Sequence, residues 1–213
     1  MAVRRFALIS EIEARQIEPG STVELELGGH VTPLARDTLA ARRVTVVPAG
    51  TVDPALPAEL APRSPVSRVA IVADHTGVAL NAALVAHLRR AGKAVDDLGT
   101  DGTGPVDYPD IAAAVGRAVA RGEVDAGIVI DGAGLGSTIA ANKIRGVRAA
   151  MCTTSTLARY AREHNGANVL ALGATLLAPA DAIEIVEIWM STPIREPRYL
   201  RRLLKIRRLE DAF

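Results

Sequence analysis

Disulfides, cysteine clusters, membrane spans and a strong charge bias are all missing from this chain. Its one cysteine, Cys152, excludes an internal disulfide and any cysteine cluster for zinc or iron–sulfur. No apolar run approaches the ~18 residues of a membrane helix. The basic start, MAVRRFALISEIEARQ, meets Glu11 and Glu13 too early for a secretory signal. Lys and Arg number 25 against 24 Asp and Glu, a net charge of +1, so the whole chain has no pull toward nucleic acid or anionic lipid. Aromatics are only 3% of residues although 49% are hydrophobic, so the core must be Ala, Val, Leu and Ile. Such a core suits packed α/β layers. These absences predict a soluble, cytoplasmic protein, and 213 residues suffice for one sizeable core plus an appendage.

Glycine is concentrated in one telling place. Residues 128–143, IVIDGAGLGSTIAANK, read as the end of a buried strand, a glycine turn over 131–136, and a helix from Ser137. Gly132, Gly134 and Gly136 let backbone N–H groups approach a ligand without Cβ interference. The helix N-terminus behind them favours negative charge. Asp131 stands where strand becomes loop, the place where open α/β sheets bind ligands. The alternative is a purely structural glycine-rich turn.

Residues 1–48 read as a small α+β appendage. Ser10-Glu11-Ile12-Glu13 starts a short helix. Val23-Glu24-Leu25-Glu26-Leu27 alternates as a half-exposed strand, which Gly28-Gly29 ends. Thr32-Pro33 predicts an N-cap with proline at the first helical position, then a helix over 34–43 and a strand at Val44-Thr45-Val46-Val47. A unit this small is marginal alone, so it docks on the main domain, a second copy or another protein. Residues 49–67 read as a linker: with Pro48, five prolines fall within positions 48–67.

Over residues 68–213, short apolar strands at 68–73, 94–98, 125–130, 147–151 and 168–172 alternate with helices. That pattern predicts a doubly wound parallel sheet with helices on both faces, flavodoxin-like, in the order 2-1-3-4-5. The first and third strands then lie side by side. Asp74 and His75 leave the first and Asp131 leaves the third, so all three reach one crevice.

Asp131 is a candidate general base. His75 can act as acid, base or phosphate donor. Asp74 can orient it or bind a sugar hydroxyl, or it can simply be an N-cap. His164 ends a helix, where a cation is favoured, as a site residue or only as a capping charge. Tyr108, before a proline at a helix start, presents a hydroxyl or packs. Cys152 follows a buried strand and reads as inert. Arg198 and Arg202 share a face of the last helix, two guanidinium forks suited to a phosphate, or else part of a solvated basic face or a subunit contact. The first strand is followed by DHTG rather than GxGxxG, and the third-strand loop has no phosphate-loop lysine, which disfavours a nucleotide site.

Several of these motifs together resemble one family. They are Asp74-His75-Thr76-Gly77, Asp107-Tyr108-Pro109, Gly132-Ala133-Gly134-Leu135-Gly136 with Ile139-Ala140-Ala141-Asn142-Lys143, Arg162-Glu163-His164-Asn165, and Asn168-Val169-Leu170-Ala171-Leu172-Gly173. Residues 68–209 resemble the ribose-5-phosphate isomerase B family, which includes the galactose-6-phosphate isomerase subunits. The resemblance implies a phosphosugar isomerase that uses no cofactor and no metal, with a homodimer or dimer of dimers completing each site. By it, His164 opens the sugar ring and Asp74 and Tyr108 contact the sugar. The loop amides around Gly132, Gly134, Gly136 and Ser137 stabilise an enediolate, and Arg198 and Arg202 hold the phosphate. His75 and Asn165 complete the substrate-binding set.

The chain departs from the family at the base. Many members have cysteine where Asp131 stands, and others place a glutamate where this chain has Ser137. Ala133 replaces a usual hydroxyl, Thr175 a usual arginine, and Tyr199 a usual histidine. Two readings follow: an aldose–ketose isomerase with Asp131 as base, or a non-catalytic or altered-substrate phosphosugar-binding homologue. Separately, Val31-Thr32-Pro33-Leu34-Ala35-Arg36-Asp37 resembles an N-terminal segment of bacterial microcompartment-associated enzymes. That resemblance implies a shell or enzyme partner for residues 1–48 and a location inside a microcompartment.

Overall fold

The computed structural model describes residues 4–49, 60–99, 104–194 and 196–212. Most of the predicted linker, and the centre of the polar loop after residue 99, lie outside the described residues. The chain divides into two compact units: Met1–Pro57 with Glu196–Arg201, and Ala58–Arg195 with Arg202–Phe213.

The first unit holds β1 (Arg5–Ile9), α1 (Glu11–Gln16), β2 (Thr22–Val31), α2 (Pro33–Ala41) and β3 (Thr45–Pro48). Its three strands are parallel, in the order β1-β2-β3. Ser10 and Glu13 close a reciprocal capping box that starts α1. Pro33 opens α2, but the Thr32 side chain makes no capping bond. Two expectations change. β1 went unread because its buried residues, Phe6 and Ile9, are three apart, a helical spacing rather than a strand alternation. Gly28-Gly29 does not end β2 but bulges it: Phe6 faces Leu25 while Leu8 faces His30, with Gly28 at φ 79° supplying the kink.

The second unit holds β4 (Arg68–Ala73), α3 (Val78–Arg90), β5 (Ala94–Asp97), α4 (Tyr108–Ala120), β6 (Ala126–Asp131), α5 (Leu135–Ala141), β7 (Ala149–Met151), α6 (Ser155–Glu163), β8 (Val169–Gly173) and α7 (Pro179–Ser191). The last helix, α8 (Pro197–Glu210), begins among the residues grouped with the first unit and ends in the second. All sheet pairs are parallel. Alternation along the strands builds two cores. Ile71, Ile128 and Leu170 pack with Leu84, Ile185 and Trp189 of α3 and α7. Val72, Val129 and Ala171 pack with Val115 of α4 and Ala141 of α5 on the other face. The predicted class, a parallel sheet covered on both faces, is what forms.

The strand order is a correction. The sheet runs β5-β4-β6-β8-β7, which is 2-1-3-5-4 and not 2-1-3-4-5. Burial is the reason. Every residue of β8 (VLALG) is buried, whereas β7 has three residues, all only partly buried. A short, half-covered strand belongs at an edge and a wholly apolar one inside. β4 and β6 remain neighbours, so the crevice between them is unaffected. Among the described residues, no helix is long and apolar enough to cross a membrane.

Candidate active site

The carboxyl ends of β4 and β6 open onto one edge of the sheet. Asp131 is the last residue of β6 and only 5% exposed. The chain turns at once: Gly134 sits at φ 77° and N-caps α5, a left-handed position that favours glycine. The helix starts at Leu135, two residues earlier than expected, so Gly136 and Ser137 belong to its first turn.

The loop closes on Asp131 itself. Oδ1 accepts from the amides of Ala133 (2.9 Å) and Gly134, and Oδ2 accepts from the Ser137 amide at 2.9 Å. The loop amides of Gly134 and Ser137, read from the sequence as donors to a ligand, are thus engaged by the chain's own carboxylate. Oδ1 has both lone-pair positions filled, and Oδ2 keeps one open. The Ser137 hydroxyl is fully buried and has no partner among the described residues.

Asp74 arrives from β4. Its Oδ1 accepts from the Thr76 amide (2.8 Å) and hydroxyl (2.5 Å), an Asx turn that leaves Oδ2 without a bond among the described residues. It does not cap α3, whose N-cap is Gly77. Gly77 packs tightly on Ile130, and Thr76 Oγ1 lies 3.7 Å from where a Gly132 Cβ would stand. The DHTG turn and the glycine loop therefore touch, with His75 exposed beside them. Thr76 was not singled out from the sequence, although its place two residues after an Asp is an Asx-turn signal. From the other side, Thr175 Oγ1 donates to the Gly132 carbonyl at 2.6 Å.

Tyr108 opens α4, and its ring lies over α5: a Cβ on Gly136 would fall 2.6 Å from the ring. The ring is 42% exposed and can swing away, so Gly136→Ala does not crush the core. Alanine in a helix is favoured over glycine by up to ~1 kcal/mol. The expected outcome is an unchanged or slightly raised Tm, with turnover lowered about tenfold because Tyr108 is displaced from the crevice.

His164 and Asn165 do not join this crevice within one chain. α6 connects two parallel strands, so it returns from the carboxyl edge to the amino edge. His164 is its C-cap, stacked on Tyr160 at 4.7 Å between ring centroids. The next turn leads into β8, whose Val169 pairs with Gly127 while Gly173 pairs with Asp131. Four strand rises put Asp131 about 13 Å beyond the level of Val169, and His164 lies before Val169. Gly166 packs against Leu203 of α8, which brings Arg202 to the same amino edge. Arg198 lies one helical turn before Arg202. Its guanidinium is gripped by Glu196, at 2.6 Å from Nε and 3.1 Å from Nη2, and also contacts the Tyr199 hydroxyl at 3.0 Å. Nothing in the sequence pattern singled out Glu196. Cys152 is buried, and burial pushes its thiol up to about 11, in keeping with an inert residue.

The residues singled out from the sequence thus fall into two groups at opposite ends of one sheet: Asp74, His75, Tyr108, Asp131 and the glycine loop at the carboxyl edge, and His164, Asn165 and Arg202 at the amino edge.

Known proteins carry the same arrangement of sequence and fold. Ribose-5-phosphate isomerase B of Escherichia coli is 40% identical over 144 residues, covering 68% of this chain and 97% of that protein. A D-erythrulose-4-phosphate isomerase of Pectobacterium atrosepticum is 39% identical over 124 residues, covering 57% and 81%. The structure of ribose-5-phosphate isomerase B from Clostridium thermocellum superposes with a TM-score of 0.67 at 44% identity, covering 68% of this chain and 98% of that one. The model of the ribose/galactose isomerase family matches residues 69–206, and this chain therefore belongs to that family of sugar-phosphate isomerases.

Proposed function

We propose that the chain interconverts an aldose phosphate and its ketose, with ribose 5-phosphate and ribulose 5-phosphate as the leading pair, through an enediolate with Asp131 as base. The observation that carries this is the Asp131 carboxylate: buried at the sheet's switch point, fixed by three amides, with one lone pair of Oδ2 open. Oδ2 would take the C2 proton and return it to C1, while the oxygens exchange a proton between carbonyl and hydroxyl. Asp74 Oδ2 and the Tyr108 hydroxyl stand at the same edge to hold sugar hydroxyls. The ring-opening His164 and the phosphate-binding Arg198 and Arg202 would come from a second copy of the chain, since His164 and Arg202 lie at the opposite edge. Such a homodimer, or a dimer of dimers, would have its sites at the interface. Residues 1–48 would serve a separate, assembly role with a shell or enzyme partner.

The relatives divide over substrate. One is a five-carbon and one a four-carbon phosphate isomerase. Of this chain's departures from the family pattern, those at Ala133, Thr175 and Tyr199 would touch the substrate's oxyanion or phosphate. A second reading, a phosphosugar-binding homologue without turnover, draws on the same amide bonds, which would equally serve a carboxylate that only braces the loop. An isomerisation panel of tetrose, pentose and hexose phosphates separates the two. Turnover of ribose 5-phosphate, faster than of the other sugars, is the expected result. Binding of these sugars without turnover of any would establish the second reading instead.

A further inference from the structure

Two arginines are sunk into the second unit, and Arg162 makes no ion pair among the described residues. Arg162 is wholly buried. It donates to the carbonyls of Ala167 (2.8 Å) and Arg63 (2.5 Å), lies 4.7 Å from the Trp189 ring, and its Nε has no partner among the described residues. Arg148 is partly buried and donates to the carbonyls of Gly166 (2.8 Å) and Leu60 (3.2 Å). Burial, and then repulsion by Arg148, pulls the Arg162 guanidinium down to about 10. Arg148 has the Glu210 carboxylate nearby, whereas Arg162 meets only carbonyls and the Trp189 ring, and buried like charges with so little compensation are costly unless an anion joins them.

Space for one lies beside Arg148. A cavity of about 420 Å³ opens at the amino edge of the sheet, and among the described residues Arg63, Arg145, Arg148 and Arg207 line it against Asp125 and Glu210. Asp125 is already committed to the amides of Ser67 and Arg68 and to Arg63, and Arg145 pairs with Asp211. Arg207 is exposed and makes no ion pair among the described residues. The cavity shares the amino edge with His164, Asn165 and Arg202 but is lined by none of them. Asp131 lies at the other end of the sheet. Leu203, Ile206, Arg207 and Glu210 of α8 line the cavity, and its polar pair, Arg207 and Glu210, stands roughly a third of a turn around the helix from Arg202.

We propose that this cavity is a second anion site, taking a phosphate group, either inorganic phosphate or a small phosphate monoester. Guanidinium forks match its oxygens, and its charge offsets the excess of arginine over carboxylate. The inference is independent of the isomerase reading.

The test is calorimetric titration of the full chain with inorganic phosphate and, separately, with glycerol 3-phosphate. Either ligand should bind in a component that Arg202→Gln leaves in place. Arg207→Gln should weaken that component about tenfold. Glu210→Gln, which keeps an oxygen for the Gly146 amide but removes a negative charge from the wall, should strengthen it several-fold. Both substitutions are at the rim, and an unchanged Tm without ligand verifies their fold. A component abolished by Arg202→Gln alone, one indifferent to both rim variants, or no binding of either ligand would overturn the proposal.

Discussion

Asp131→Asn is expected to stop exchange of the substrate's C2 proton with solvent and to cut turnover by ~10²–10⁴, the usual contribution of a general base. The substitution is nearly isosteric, so the crevice keeps its shape. An asparagine has one acceptor oxygen where aspartate has two. It can satisfy the Ala133 and Gly134 amides or the Ser137 amide, and the other side meets its NH₂. That mismatch costs ~1–3 kcal/mol. A fall in Tm is therefore expected alongside the kinetic loss, and the two must be read separately. Sugar-phosphate binding is the control. A base acts in the transition state, so binding should persist while exchange vanishes. Exchange that survives in a folded Asp131→Asn protein would remove Asp131 from the mechanism and leave it as the brace of the glycine loop.

Mixing two dead variants should restore activity. Asp131→Asn removes the carboxyl-edge group and His164→Asn removes the amino-edge group. If each site is built from the Asp131 of one copy and the His164 of another, a mixed dimer has one site with both defects and one with neither. Random reassortment makes half the dimers mixed, so about a quarter of wild-type activity should appear from inactive parents. The argument rests on the direction of α6, which returns His164 to the end of the sheet away from Asp131. Were all groups to act within a single chain, every chain in the mixture would carry one lesion and nothing would be regained. Dissociation by dilution before mixing, then reconcentration, gives the exchange time to complete.

The sequence by itself determined the fold class, the neighbouring first and third strands, and the carboxylate at their edge. Those follow from local rules: apolar runs of strand length, helices between them, and right-handed crossovers. It also located the glycine turn, because a left-handed residue such as Gly134 leaves a mark in composition. Tertiary structure alone decided three things. It put β8 inside and β7 at the edge, since burial on both faces depends on what packs above and below a strand and not on the strand's place in the chain. It turned the loop amides of Ala133, Gly134 and Ser137 onto Asp131, because hydrogen-bond direction depends on where α5 begins. And it set His164 and Asp131 at opposite ends of the sheet, which a list of motifs cannot reveal, since residues of one family signature need not meet within one copy of the chain.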